Sequence, residues 1–226
     1  MDIEFIRESI PLYAEAAVLT LRLALFGILC SGVIGFVCCL LRIFRVPVLK
    51  QAAEAYIELS RNTPLLVQLF FLYFGLPRIG VVLSSEVCAV AGLSFLGGSY
   101  MAEAFRSGME AVPASQGEAG LSLGMSRRQV FFYILLPQAA ATSIPVFGAN
   151  IIFLIKETSV FSAVALADLV FVAKDFIGMT YRTDEALLLL VIFYLILILP
   201  VSAVCALIER RVRYAQFGNR SIVSGE

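Results

Sequence analysis

The chain contains no histidine, little charge and no phosphate-cradling glycine loop, and each absence removes a class of chemistry. Without imidazole there is no His-ligated metal site and no His-based general acid–base catalysis. Cys30, Cys38, Cys39, Cys88 and Cys205 all lie in apolar stretches with no C-x-x-C pair. They read as small buried hydrophobes, not as a disulfide framework or metal ligands. A phosphate loop needs Gly-Lys-Ser/Thr after a glycine-spaced run, whereas the only lysines, Lys50, Lys156 and Lys174, follow Leu, Ile and Ala. Charged residues make up 15% of the 226 positions and cancel to zero, so the balance gives no hint of a nucleic-acid partner. The opening MDIEFIRESIPLYAEA is acidic and lacks a basic region before an apolar core, unlike a cleaved signal peptide.

Apolar residues fill the space that charge leaves. They account for 60% of the chain, and the mean hydropathy is +0.93. A soluble domain of this length carries far more polar surface, so the expected class is an all-α, polytopic membrane protein. A span takes about 20 mainly apolar residues to cross about 30 Å of hydrocarbon. Five spans are expected: Ala16 to Leu41, Ala52 to Leu76, Val87 to Phe105, one within Gln129 to Ile155, and Ala186 to Ile208. Thr158 to Ala173 is apolar but short and broken by Asp168, and is expected to lie on the outer face or to re-enter. Residues 1–15 are then an external segment, 16–209 the transmembrane domain and 210–226 a cytoplasmic tail.

Lys/Arg bias sets the orientation. With the N-terminus outside, ten basic residues are cytoplasmic: Arg42, Arg45, Lys50, Arg106, Arg127, Arg128, Arg210, Arg211, Arg213 and Arg220. Four are external (Arg7, Arg78, Lys174 and Arg182), and Arg22, Arg61 and Lys156 fall within the membrane. The polar loop at about 108–136 therefore faces the cytoplasm.

That loop holds two helix-start patterns, Ser115-Gln116-Gly117-Glu118 and Ser126-Arg127-Arg128-Gln129, with Gly124 between them. The pattern predicts a short helix over Ser115 to Leu123, a left-handed turn at Gly124 and a second helix from Arg127. A helix that short has nothing in its own loop to cover Leu121 and Leu123, and needs a partner groove or the bilayer surface. Glu118, Ala119, Gly120, Leu123, Gly124, Ile134, Leu136 and Pro137 resemble the EAA motif of permease subunits of ATP-binding-cassette importers, which ends in I-x-L-P. Gly120 departs from the usual Ala, at a cost of about 1 kcal/mol of helix propensity. Arg61-Asn62-Thr63-Pro64-Leu65-Leu66-Val67-Gln68, Ser99-Tyr100-Met101-Ala102-Glu103, Pro137-Gln138-Ala139 and Lys156-Glu157-Thr158-Ser159 resemble the polar amino-acid branch of that family (histidine, glutamate, glutamine, arginine, opines).

The resemblance implies a type I importer transmembrane domain in a bacterial inner membrane. It implies a second permease copy or sister permease, an external amino-acid-binding protein, and cytoplasmic ATPase subunits that bind ATP and Mg. The chain itself is expected to hold no cofactor and to catalyse no reaction. Candidate residues of a translocation path or gate are Arg61, Thr63, Pro64, Gln68, Glu103, Asn150, Lys156, Glu157, Thr158 and Ser159. Lys50, Glu54, Glu58 and Arg61 share one helix face, which Pro64 is then expected to disrupt or bend, and Glu103 and Arg106 can pair at i, i+3. Gly27, Ser31 and Gly35 repeat every fourth residue and permit close helix packing, within the chain or between chains. An ion-coupled secondary transporter using Glu/Lys pairs is the alternative reading, and an intramembrane hydrolase lacks a nucleophile constellation.

Overall fold

A computed structural model describes residues 2–44 and 46–217, with side chains through Val212. Arg45, Arg220 and the Arg213 side chain, counted above as cytoplasmic, lie outside the described residues. The order is α1 (Ile3–Ile43), α2 (Leu49–Arg61), α3 (Leu65–Phe70), α4 (Ser85–Glu110), α5 (Ala114–Ser122), α6 (Arg127–Gln129), α7 (Leu136–Glu157), α8 (Leu169–Thr180) and α9 (Thr183–Phe217). No strand occurs among the described residues.

Four helical runs are long and apolar enough to cross a membrane: Ile3–Ile43, Ser85–Glu110, Arg127–Val164 and Thr183–Val212. The expected second span is divided at the disruption or bend that Pro64 predicts. It breaks at Asn62–Pro64, because the proline cannot donate to the turn before it and disfavours α geometry in Thr63. Its apolar part, Leu65–Ile79, is a shorter helix of mixed geometry. The first span starts earlier than expected: the Asp2 carboxylate accepts from the Glu4 and Phe5 amides, so residues 3–15 are helix continuous with the span. At the other terminus α9 runs on to Phe217, into the segment expected as tail.

Among the described residues two π turns, Phe71–Gly75 and Val130–Leu135, have the same cause. Pro77 and Pro137 would clash with the carbonyls four residues back. In each case the preceding residue reaches five residues back instead, Leu76 N–H to Phe71 O and Leu136 N–H to Phe131 O.

The tightest pairing is α1 on α4. Gly27 faces Leu93 and Gly35 faces Met101, while Gly97 and Gly98 lie against Ser31 and Ile34. The small-residue stripe thus serves contact within the chain, where absent side chains let the backbones approach. Ser31 Oγ seals it by donating to Gly27 O at 2.7 Å. A core of Leu23, Leu65, Leu69, Leu93 and Leu154 also takes in Phe161 and Val164 of the 3₁₀ turn Thr158–Val164. That turn is therefore buried inside the bundle, not laid on its surface. The rest of that apolar segment, in α8, packs nearer the periphery, with Leu169 and Ala173 against Tyr13, Ala16 and Leu189. That helix begins at Asp168, fully buried, whose Oδ1 accepts from Phe171 N–H at 2.9 Å.

Candidate coupling surface and charged cavity

The motif residues come together at one end of the bundle. Pro113, extended at φ −57° and ψ 135°, precedes the first turn, so α5 starts one residue earlier than expected. Ser115 therefore does not cap it, and the expected first capping box is absent. Glu118 is left exposed, with nothing at its own helix start to complete. The second box forms as expected: Ser126 Oγ accepts from Gln129 N–H, and Gln129 Oε1 accepts from Ser126 N–H at 2.8 Å.

Between the helices Gly124 takes φ +82°. Its amide donates to Leu121 O at 3.0 Å and the Met125 amide to Gly120 O at 3.2 Å, the paired bonds of a Schellman turn. Gly120 is buried for a reason the motif alone did not give. A methyl group there would stand 2.7 Å from Ile134 Cδ1 and 2.9 Å from Val130 Cγ2. The glycine lets α5 lie hard against the π turn leading to Leu136 and Pro137. Glu118, Ala119 and Leu123 remain on the exposed side, Leu123 at 82%.

The same end holds a network of charge. Glu103, mostly buried, accepts from Arg42 at 2.6 Å and from Arg106 at 2.8 Å, and Arg61 approaches it to 3.8 Å. Arg106 also reaches Glu110 at 2.6 Å, and Lys50 pairs with Glu54 at 3.6 Å. The network ties α1, α2 and α4 around a cavity of about 460 Å³ lined by Arg42, Glu54, Glu58, Arg61, Tyr100 and Glu103, among others. Arg61 also stacks over the Tyr100 ring, 5.3 Å from its centroid.

Of the expected path residues, Arg61 and Glu103 line this cavity. Asn150 is tied in through Tyr100, donating to its carbonyl at 3.1 Å. Thr63 and Pro64 form the α2–α3 break, and Gln68 Nε2 bridges it to Ser60 O and Thr63 O at 3.3 and 3.1 Å. Gln68 Oε1 is buried without a hydrogen-bond partner among the described residues. Lys156, Glu157, Thr158 and Ser159 do not line the cavity. Thr158 is buried and donates to Ile155 O at 2.7 Å, while Lys156 is exposed. Arg42 and Tyr100 had no individual role in the sequence; Arg42 lies 61 positions from Glu103, beyond any local pattern.

Residues 19–214 match the family described as the binding-protein-dependent transport system inner membrane component. The chain belongs to this family. It is 34% identical over 196 residues to a probable amino-acid ABC transporter permease protein of Vibrio harveyi, covering 85% of this chain and 88% of that one. It is 32% identical over 207 residues to the glutamine transport system permease protein of Escherichia coli K12, covering 91% and 94%. A crystal structure of an amino acid ABC transporter with histidines superposes with a TM-score of 0.88 at 31% identity, over 93% of this chain and 99% of that one. An inward-facing methionine ABC transporter shares the fold, with a TM-score of 0.76 at 19% identity. The permease is thus a multi-pass inner membrane protein of an ATP-binding-cassette importer, and the ion-coupled alternative falls away.

Proposed function

We propose that the permease carries a polar amino acid across the membrane, and that α5 receives the driving motion from a separate ATPase. The observation that carries this reading is α5 itself: a nine-residue helix held by a Schellman turn, with Glu118 and Leu123 exposed. An uncovered leucine beside an uncompensated carboxylate fits a groove offering apolar contact and a basic group. ATP and Mg bind on that partner, since this chain has no phosphate loop. A second permease, identical or a sister chain, completes the path, and an external binding protein delivers the amino acid. The N-terminus faces outward, which puts α5 in the cytoplasm. Relatives named for glutamine and for octopine support a polar α-amino acid as cargo.

The charged cavity belongs to the same reading. A zwitterion that sheds water needs a partner for each charge, and Arg61 and Glu58 present one of each at the cavity wall. The test is uptake by proteoliposomes holding the assembled complex, ATP inside and the binding protein outside. ATP-dependent accumulation of a labelled polar amino acid is expected, lost on Glu118→Lys with the complex intact. Uptake without ATP, or full uptake by the variant, would overturn it.

A further inference from the structure

We propose that the long groove between α1 and α4 holds a phospholipid with a primary-amine zwitterionic headgroup, its phosphate on Arg22 and its ammonium on Glu86. This rests on the membrane fold and not on the amino-acid cargo. The groove has a volume of about 1070 Å³ and an apolar lining that includes Phe26, Cys30, Ile34, Val90, Ala91 and Phe95. Its mouth is different. Arg22 Nη2 meets Glu86 Oε2 at 3.1 Å, and the two side chains are 53% and 54% exposed.

Depth sets what can reach that mouth. Arg22 and Arg42 are 20 residues apart on one helix with no charge between them. That separation is about 30 Å, the thickness of the hydrocarbon layer. Arg42 belongs to the charged network at the α5 end. Arg22 therefore sits at the opposite boundary, where headgroups begin and acyl chains run inward along the groove.

The pair also selects the headgroup. A single hydrogen bond joins the two residues, which leaves further guanidinium N–H groups and Glu86 Oε1 available. A phosphate can take the former and an ammonium can donate to the latter. An anionic headgroup without an amine meets the Glu86 carboxylate unfavourably, and a choline headgroup has no N–H to donate. Phosphatidylethanolamine satisfies both ends.

The test is native mass spectrometry of the assembled transporter, exchanged in turn into phosphatidylethanolamine, phosphatidylcholine and phosphatidylglycerol. One tightly retained phosphatidylethanolamine per permease is expected, favoured over the other two. The Arg22→Gln/Glu86→Gln double variant should weaken retention at least about fivefold, equivalent to about 1 kcal/mol. Ala91→Phe, which fills the groove and leaves the charges intact, should do the same and serves if the double variant does not assemble. Equal retention by wild type and Ala91→Phe, or no preference among headgroups, would overturn the proposal. So would a short bis-maleimide joining Cys30 of two permeases in high yield, because the groove would then be a subunit interface; Cys30 is exposed, not buried as the sequence suggests.

Discussion

Gly124 is the residue on which the loop turns. At φ +82° with open space around its α-carbon, an added side chain meets no neighbour, so any penalty comes from the backbone alone. Gly124→Ala should cost about 1 kcal/mol and leave part of ATP-driven uptake. Gly124→Val, β-branched in a left-handed conformation, should reorient α5 and uncouple ATP hydrolysis from uptake while the complex still assembles. Parallel ATPase and uptake assays on both variants check the gradation. At the other end Asp2 ties the start of α1 to Arg182 and, through its amide, to Glu185 at 2.9 Å. The hydrogen bond from Arg182 holds the Asp2 carboxyl below its usual 3.8. A lowered carboxyl stabilises the folded chain above its unfolded value, and the contribution fades as pH falls through the lowered one. Amide exchange in the first turns of α1, normalised to the intrinsic rate at each pH, should therefore stay slow at pH 7 and accelerate only below pH 3.8. Asp2→Asn should make it fast at both. This residue-scale detail was only partly legible in the sequence. Gly124 and the Ser126/Gln129 box follow from spacing within one turn. The Ser115 box failed because Pro113 starts the helix first, and S-x-x-E spacing carries no record of that competition.

Among the elements, α1, α2 and α4 meet in a charge network whose centre is one carboxylate. Removing it strands cations that sit close together at the edge of the membrane. Glu103→Gln should lower stability by about 2 kcal/mol, less than a fully buried pair because Arg61 and Arg106 are partly exposed. The measurement is the melting temperature in detergent, with Glu103→Asp recovering part of the loss. The glycine contacts of α1 and α4 make a second case. Gly98→Leu drives a side chain into Ile34 and the Tyr56 hydroxyl, and should abolish folded, monodisperse protein in size-exclusion chromatography. Both interfaces were half visible beforehand. The Glu103–Arg106 pair and the four-residue repeat of small residues lie on single helices and can be read along them. That Arg42 crosses to Glu103, and that the repeat meets α4 and not another subunit, depends on packing between segments about 60 positions apart.

For the whole molecule, the apolar runs anticipated an all-α membrane protein, and the fold agrees, with the second span as the exception. Averaged hydropathy passes smoothly over Asn62–Pro64, but Pro64 itself marks the disruption in the sequence, and the backbone breaks there. The long α9 keeps Val191, Leu195, Ile196 and Leu199 exposed, consistent with a periphery solvated by lipid or covered by another subunit. Dissipating proton and sodium gradients in proteoliposomes should leave uptake of the labelled amino acid unchanged as long as ATP is present.

The fit of α5 against the turn at Val130–Leu135 has a mechanical consequence. With Gly120 packed against Val130 and Ile134, α5 and the turn are in direct contact and should move together as a lever. Its far arm is α7, whose hydroxyls on Thr142 and Ser143 donate to α4 carbonyls at 3.1 and 3.0 Å. A displacement of α5 should therefore pass through α7 to the C-terminal part of α4, beside the Glu103 network, and not be lost as bending in a loop.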